Sequence, residues 1–355
     1  MGPIPLYGAM RPDDPVPAAT LVPWFRSTVP GVAPGPLLVE RIAGGHSNLT
    51  YRITDAAGTR WALRRPPTGM VLATAHDMAR EWRFLCALAP TPVPVAEPVA
   101  LCTDPAVIGT EFYVTGFVEG AVLGDEVSGH HLAHEARRAA GLDAVDVLVA
   151  LHAVDPHAVG LGDLERPGSY LERQLRRWYR QVHASAVPDL AAVDAAHELL
   201  SARVARLPVS EVRIAHGDFR MGNLAVGPDG RVRAVFDWEL AALGDPLADL
   251  GWLIASWCRP GDPDPPMLRG PSLAPGWAEA SELVERYAAR SGRDVGGLGF
   301  YVAFARWRSA CIGAGVWSRY AAGVMDGDEP AEVAGQRLAG LQAQARSALD
   351  ALRGR

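Results

Sequence analysis

Between residues 36 and 120 the chain runs in short, partly alternating stretches of apolar and polar residues: "PLLVERIAG", "LTYRITDAAG", "RWALRRPP", "VAEPVALCTD" and "EFYVTGFVEG". Period two, punctuated by Gly, Asn and Pro, predicts β-strands, the first three as an antiparallel meander. One segment breaks the alternation. In "HDMAREWRFLCALAP", Trp82, Leu85 and Leu88 recur at helical spacing and the run stops at Pro90, which predicts a helix. Ahead of the strands, "PAATLVPWFRSTV" predicts a short helix closed by Pro30-Gly31, and the Pro- and Gly-rich first 15 residues predict a loose arm. From about residue 130 the period changes: "HHLAHEARRAAGLDAVDVLVALHAV", "SYLERQLRRWYRQV" and "DAAHELLSARVARL" predict long helices, and helices resume from 247 to the end. The pattern predicts an α+β chain: an arm and short helix over 1–30, a small sheet lobe over 31–117 and a larger helical lobe over 118–355. The Pro-rich "CRPGDPDPPMLRGPSLAPG" at 258–276 is expected to be a surface loop.

One stretch interrupts the helices. "AHGDFRMGNLAV" at 215–226 is followed by "GPDG" and then "RVRAVFDWE" at 231–239. Strand, Pro-Asp-Gly turn and strand predict a hairpin whose open end brings Asn223 and Asp237 together, with Asp218 just before it. Each residue alone is an ordinary turn former; the full spacing is not ordinary. Mg²⁺ takes one or two protein oxygens and completes its shell with water and phosphate, which suits Asn223 and Asp237. Asp218, off the metal, is placed to accept a proton from a hydroxyl. A carboxylate pair for glycoside hydrolysis is the competing reading, and it leaves Asn223 without a role.

Composition narrows the partners. The 355 residues carry a net charge of −6, against nucleic-acid binding, which calls for a basic stripe. Cys86, Cys102, Cys258 and Cys311 form no CxxC pair, so reduced thiols in a cytoplasmic protein are expected. "MGPIPLYGAMRPDD" lacks the basic and apolar regions of a secretory leader, and no apolar run of about 18 residues is present, so no membrane partner is expected. His130, His131 and His134 lie close in sequence but in no zinc motif, and read as a solvated helix start. Nothing in the sequence sets the oligomeric state. All 34 basic residues are arginine, so any site that usually employs lysine must here employ arginine.

"HGDFRMGN" resembles the H-x-D-x-x-x-x-N catalytic loop of the protein-kinase-like fold, and "FDWE" sits where protein kinases carry D-F-G. The His-Gly-Asp form is similar to the aminoglycoside phosphotransferase and choline kinase superfamily. "GGHSNLTYRI", "WALRRPP", "VIGTEFYVTGFVEG", "LHAVD" and "DWELAALGDPLADL" resemble the kinase domains found fused to acyl-CoA dehydrogenases. The resemblance implies a two-lobed fold and an ATP- and Mg²⁺-dependent kinase that phosphorylates a hydroxyl of a small molecule. It implies Asp218 as catalytic base, Arg220 as a positive charge beside the transferring group, and Asn223 and Asp237 as metal ligands. Gly44, Gly45, His46, Ser47 and Asn48 match the phosphate-covering loop. Arg64 matches the lysine that grips the α- and β-phosphates, with Arg65 as the alternative, and Glu81 matches its partner. Thr115, Gly116 and Phe117 match the adenine hinge, and His216 and Asp249 match structural supports of the catalytic loop.

The acceptor is expected to be a hydroxy acid or hydroxyacyl-CoA, the chemistry that the resemblance implies. A polycationic aminoglycoside needs an acidic pocket. The segment 247–277 offers only Asp249, Asp262 and Asp264, with no glutamate, beside Trp252, Trp257, Arg259 and Arg269. Arg173 and Arg177 are expected to add positive charge. Aminoglycoside phosphorylation is the alternative function, and a nucleotide-binding pseudokinase, favoured by the missing lysine but not by the intact Asp218, Asn223 and Asp237, is the third.

Overall fold

Strand alternation and one amphipathic helix build the N-terminal part of the chain. The computed structural model describes residues 16–42, 48–67, 77–185, 187–208, 210–259, 261–262, 270–321 and 331–354. Helix α1 (Ala18–Thr28) precedes strands β1 (Leu38–Arg41), β2 (Leu49–Thr54) and β3 (Arg60–Arg65); helix α2 (Met78–Leu88) precedes β4 (Pro98–Cys102) and β5 (Phe112–Gly116). The five strands form one antiparallel sheet in the order β1-β2-β3-β5-β4. The expected meander therefore ends at β3, because β5 inserts between β3 and β4. Alternation decides the faces. Leu49, Tyr51 and Ile53 of β2 and Trp61 and Leu63 of β3 are buried in one cluster with Leu21 and Phe25 of α1. Phe25 meets Trp61 edge-on at 5.3 Å, and Trp24 meets Phe112 at 4.7 Å. Asp77 caps α2 by accepting from the Arg80 N–H at 2.9 Å.

The helical part begins with β6 (Ala121–Val122), the single turn α3 (Glu126–Gly129), α4 (His134–Ala153), α5 (Tyr170–His183) and α6 (Ala191–Val204). Four short strands follow: β7 (Arg213–Ala215), β8 (Leu224–Val226), β9 (Val232–Val235) and β10 (Ala242–Gly244). β7 pairs with β10, Ala215 opposite Ala242, and β6 pairs with β8. The chain ends in α7 (Pro246–Ser256), α8 (Ala280–Ser291), α9 (Leu298–Ala321) and α10 (Ala331–Arg353). Asp245 caps α7 through the Leu247 N–H at 3.0 Å, with Pro246 in the first turn. Gly251 lets α7 pack on α9: a Cβ there would lie 2.6 Å from the Cβ of Tyr301. Of the Pro-rich stretch at 258–276, the described residues include a 3-10 turn at Pro271–Leu273.

The chain divides into two compact units, but not at residue 117. One unit takes the described residues of Arg11–Glu119 together with Arg233–Glu239; the other takes Gly120–Val232 and Leu240–Arg355. This corrects the expected division twice. The first helix is no appendage, since Leu21 and Phe25 are fully buried in the sheet core. The "RAVFDWE" segment, expected in the helical lobe, belongs with the sheet, because the Val235 N–H donates to Pro94 O at 2.8 Å and the Trp238 ring stacks on Phe84 of α2 at 6.3 Å.

Burial of α1 predicts that Phe25→Ala lowers stability by about 3–5 kcal/mol, the usual cost of emptying an aromatic core position. Thermal or urea unfolding measures it. A change under about 0.5 kcal/mol, as at an ordinary surface position, would return α1 to the status of an arm.

Candidate active site

β7 delivers the chain into the His-Gly-Asp loop. Gly217 has φ of 84°, and a Cβ there would lie 2.6 Å from Leu240 O, so neither its conformation nor its surroundings admit a side chain. The loop is fixed by the carboxylate of Asp249 on α7, which is buried at 1% exposure. Its Oδ2 accepts the His216 N–H at 2.6 Å and its Oδ1 accepts the Gly217 N–H at 2.8 Å. His152 Nε2 adds a third contact to Oδ2 at 3.4 Å, while His152 Nδ1 lies 2.8 Å from the Tyr287 hydroxyl. A consistent assignment has Nε2–H donating to Asp249 and the Tyr287 O–H donating to Nδ1. Burial pushes His152 below its ordinary pKa, ahead of the opposing pull of Asp249. Burial works to raise Asp249, but its contacts with His152, His216 and the Gly217 N–H together outweigh it and hold the carboxyl below the usual range.

Asp218 follows at the loop's tip. Its N–H donates to His216 Nδ1 at 3.1 Å, so His216 braces the loop. The carboxylate is held from both ends: Trp252 Nε1 donates to Oδ1 at 2.6 Å and Asn223 Nδ2 donates to Oδ2 at 2.7 Å. Arg220 Nε lies 3.4 Å from the same Oδ2. Asn223 Nδ2 also donates to Asp218 O at 2.8 Å, so its amide nitrogen is committed to the loop and Oδ1 is the end available to a cation.

In the sheet unit, alternation separates Arg64 from Arg65. Arg65 is buried with Trp61 and Leu63 and lies over the Tyr51 ring at 5.9 Å. Arg64 takes the opposite face, across from Tyr113 on β5. Its Nε lies 3.1 Å from Glu81 Oε2, an ionic contact rather than an aligned hydrogen bond, and its other end pairs with Asp237 Oδ1. Glu81 accepts from the Tyr113 hydroxyl at 2.9 Å and from Asn48 Nδ2 at 2.8 Å. Burial pushes Glu81 up despite the adjacent guanidinium. Burial opposes the charge on Arg64 as well, yet Asp237 and Glu81 outweigh it and keep the guanidinium protonated. Asp237 adopts φ of 66°, a left-handed conformation in which the adjacent Trp238 indole donates to Val235 O at 3.1 Å.

Among the described residues, no group of three or more His, Cys, Asp or Glu side chains forms a metal cage. Mg²⁺ does not require one, and the oxygens of Asn223 and Asp237 are donors of the hard type it takes.

The expected residues thus fall into two sets. Asp218, Arg220, Asn223, His216 and Asp249 come together in the helical unit; Arg64, Glu81, Asn48 and Asp237 come together in the sheet unit. Gly44, Gly45, His46 and Ser47 lie outside the described residues, as do Asp264 and Arg269. At the expected hinge, Thr115 is buried in β5, the Gly116 N–H donates to Glu97 O at 2.9 Å and the Phe117 N–H donates to Arg60 O at 3.2 Å. Both N–H groups are thus engaged within the sheet unit. Trp257 is corrected. It is a core residue, its indole donating to Ala278 O at 2.9 Å and packing on Trp277. Arg173 is turned onto the carbonyls of residues 166–168.

Sequence reading missed two side chains, His152 and Arg308. His152 lies in "LHAVD" but carried no assigned role. Arg308, on α9, is 3% exposed and donates to Gly217 O. No sequence pattern marked Arg308, because its partners lie on other elements of the fold.

A five-stranded antiparallel sheet with an Arg-Glu pair, joined to a helical unit with a His-Gly-Asp loop, defines the protein-kinase-like α+β fold. The chain belongs to the phosphotransferase enzyme family, whose pattern matches residues 38–287. A putative aminoglycoside phosphotransferase from Ralstonia eutropha is 32% identical, with a TM-score of 0.76 over 95% of this chain and 98% of that one. A macrolide 2'-phosphotransferase from Brachybacterium faecium, 23% identical, shares the fold with a TM-score of 0.57 over 90% of this chain and 97% of that one. The probable acyl-CoA dehydrogenase IBR3 of Arabidopsis thaliana is 33% identical over 85% of this chain but 39% of its own length. Acyl-CoA dehydrogenase family member 11 of Gallus gallus is 34% identical over 81% of this chain and 38% of that protein. The chain thus spans under two-fifths of these two relatives. No helix among the described residues is long and apolar enough to cross a membrane.

The depressed His152 predicts an acid-labile fold. Unfolded histidine takes up a proton near its ordinary 6.5, which the buried folded ring resists, so the unfolded state binds more protons and stability falls as pH drops below about 6.5. Asp249 adds to the loss at lower pH, as the medium falls from the ordinary 3.8 through its own depressed value. Unfolding midpoints between about pH 7 and 5 should therefore decline in the wild type and decline less in His152→Gln. Equal slopes in the two proteins would remove His152 as the cause.

Proposed function

We propose that this protein transfers the γ-phosphoryl group of ATP to a hydroxyl of a small organic acid or its CoA thioester. The observation that carries the reading is the carboxylate of Asp218, held in one orientation by Trp252, Asn223 and Arg220. In that role Asp218 accepts the proton of the incoming hydroxyl, and the oriented carboxylate aligns the oxygen for attack on the γ-phosphorus. Arg220 beside it brings positive charge to the transferring group. Arg64, backed by Glu81, binds the α- and β-phosphates, where a planar guanidinium grips phosphate oxygens in pairs. Asn223 and Asp237 are the residues that would hold Mg²⁺, which neutralises phosphate charge when bound. Nucleotide use accords with solved phosphotransferases of the same fold that hold GDP, or ADP with hygromycin B. The acyl part of the reading rests on the names of the relatives, acyl-CoA dehydrogenases in which the region matched by this chain is the smaller part. The segment 247–277, which places Trp252 on Asp218 and has no glutamate, suits a polycation poorly.

Radiolabelled ATP with Mg²⁺ and a panel of hydroxyacyl-CoAs, free hydroxy acids, choline and kanamycin-type aminoglycosides tests the reading. Transfer to the hydroxyacyl compounds is expected. Asp218→Asn should lose about 10²–10⁴-fold in turnover, the usual worth of a general base, with the KM for ATP little changed. Transfer to kanamycin alone would replace the acceptor assignment, and an equal loss of ATP affinity in Asp218→Asn would make that residue a binding group.

Arg64→Ala should weaken ATP binding and turnover together, and Arg64→Lys should regain part of both, because an ammonium restores the charge but not the fork. Loss in Arg65→Ala with none in Arg64→Ala would contradict the face on which each side chain lies.

A further inference from the structure

Arg308 is a buried cation with an uncommon set of partners. It is 3% exposed, and among the described residues no carboxylate pairs with it. Its guanidinium lies over the Trp252 ring at 4.3 Å and over the Trp178 ring at 5.3 Å. One terminal nitrogen donates to Gly217 O, and Nε has no hydrogen-bond partner. A guanidinium withdrawn from water, with no counter-ion among the described residues, costs stability, and two aromatic faces with one carbonyl recover only part of that cost. Packing alone gives no reason for the charge.

Both directions in which Arg308 reaches lead to Asp218. Gly217 is the residue before it, held at φ of 84°, so the bond to Gly217 O fixes the peptide that carries Asp218. Trp252 is the donor to Asp218 Oδ1 at 2.6 Å. A cation over the indole face fixes the plane of the ring, hence the direction of its N–H, and withdraws electron density from the ring, which strengthens that N–H as a donor. Arg308 itself makes no hydrogen bond to the carboxylate.

We propose that Arg308 is a positioning residue for the catalytic base, aligning Asp218 through the Trp252 indole and the Gly217 peptide. The inference rests on the reading of Asp218 as base. It deepens that reading by assigning a function to a buried charge on α9 and an orienting role to Trp252.

Three variants and two readouts test it. Arg308→Met keeps the bulk and removes the charge; Arg308→Lys keeps the charge and the cation–π contact; Trp252→Phe keeps the ring and removes the N–H. Arg308→Met should lower kcat by about 10²-fold, the effect of a misplacement near 1 Å, with the KM for ATP within about twofold. Arg308→Lys should recover part of kcat. If the two sites act on one path, Arg308→Met should cost much less in a Trp252→Phe background than alone. The second readout needs no turnover. The Trp252 indole N–H resonance, assigned by its loss in Trp252→Phe, should shift in both Asp218→Asn and Arg308→Met. Should Arg308→Met fail to fold, the comparison passes to Arg308→Lys, which should move the same resonance by a smaller amount. A folded Arg308→Met with wild-type kcat, full additivity with Trp252→Phe, or an unmoved indole signal would overturn the proposal. Failure of the proposed function looks different, because the wild type itself would be inert towards every acceptor, and the indole signal would then still decide the Arg308 contact.

Discussion

The helical unit is organised around one buried carboxylate. Asp249 accepts two backbone N–H groups from the loop after β7 and one imidazole N–H from α4, so a single side chain ties three elements together. A buried charge of this kind is tolerated only when nearly all its lone pairs are occupied. That requirement propagates outward: Gly217 must take a left-handed conformation, His216 must turn its Nδ1 to the Asp218 N–H, and His152 must stay neutral between Asp249 and Tyr287. The orientation of Asp218 is the last consequence of the chain.

Much of this was legible from the residues. Alternation located the five strands of the sheet to within a few residues, and the helical period located α2, α4, α5 and α6. The Pro-Asp-Gly turn located the β8–β9 stretch. Pairing order was not legible, because β5 lies between β3 and β4 through contacts that no local pattern encodes. Arg64 and Arg65 look equivalent in a string of letters; they differ because consecutive strand residues face opposite sides. Trp252 and Trp257 also look equivalent, yet the first, inside α7, donates to Asp218, and the second, just past its end, turns its indole into the core. Arg308 and Trp252 sit on different helices, and only the packing of α7 against α9 makes them neighbours.

The absence of lysine has a geometric outcome at Arg64. An ammonium offers one compact charge, whereas the guanidinium here spans two acids, Glu81 on α2 and Asp237 on the segment after β9. Both ends are engaged while Tyr113 and Asn48 fix Glu81 from behind. Substituting the longer cation therefore involves its whole surroundings, and Arg64 is best regarded as one member of a five-residue polar network.

The membership of Arg233–Glu239 in the sheet unit bears on how such chains diversify. The polypeptide passes from one unit to the other at 119/120, returns at 232/233 and leaves again at 239/240. A single genetic crossover between two relatives at the first of these points would give the sheet unit of one parent a "RAVFDWE" segment from the other. Trp238 would then have to stack on a foreign α2, and Asp237 to pair with a foreign Arg64 equivalent. Exchange of an intact unit takes at least two further breakpoints close together, so these seven residues should be inherited as partners of a sheet more than a hundred positions away.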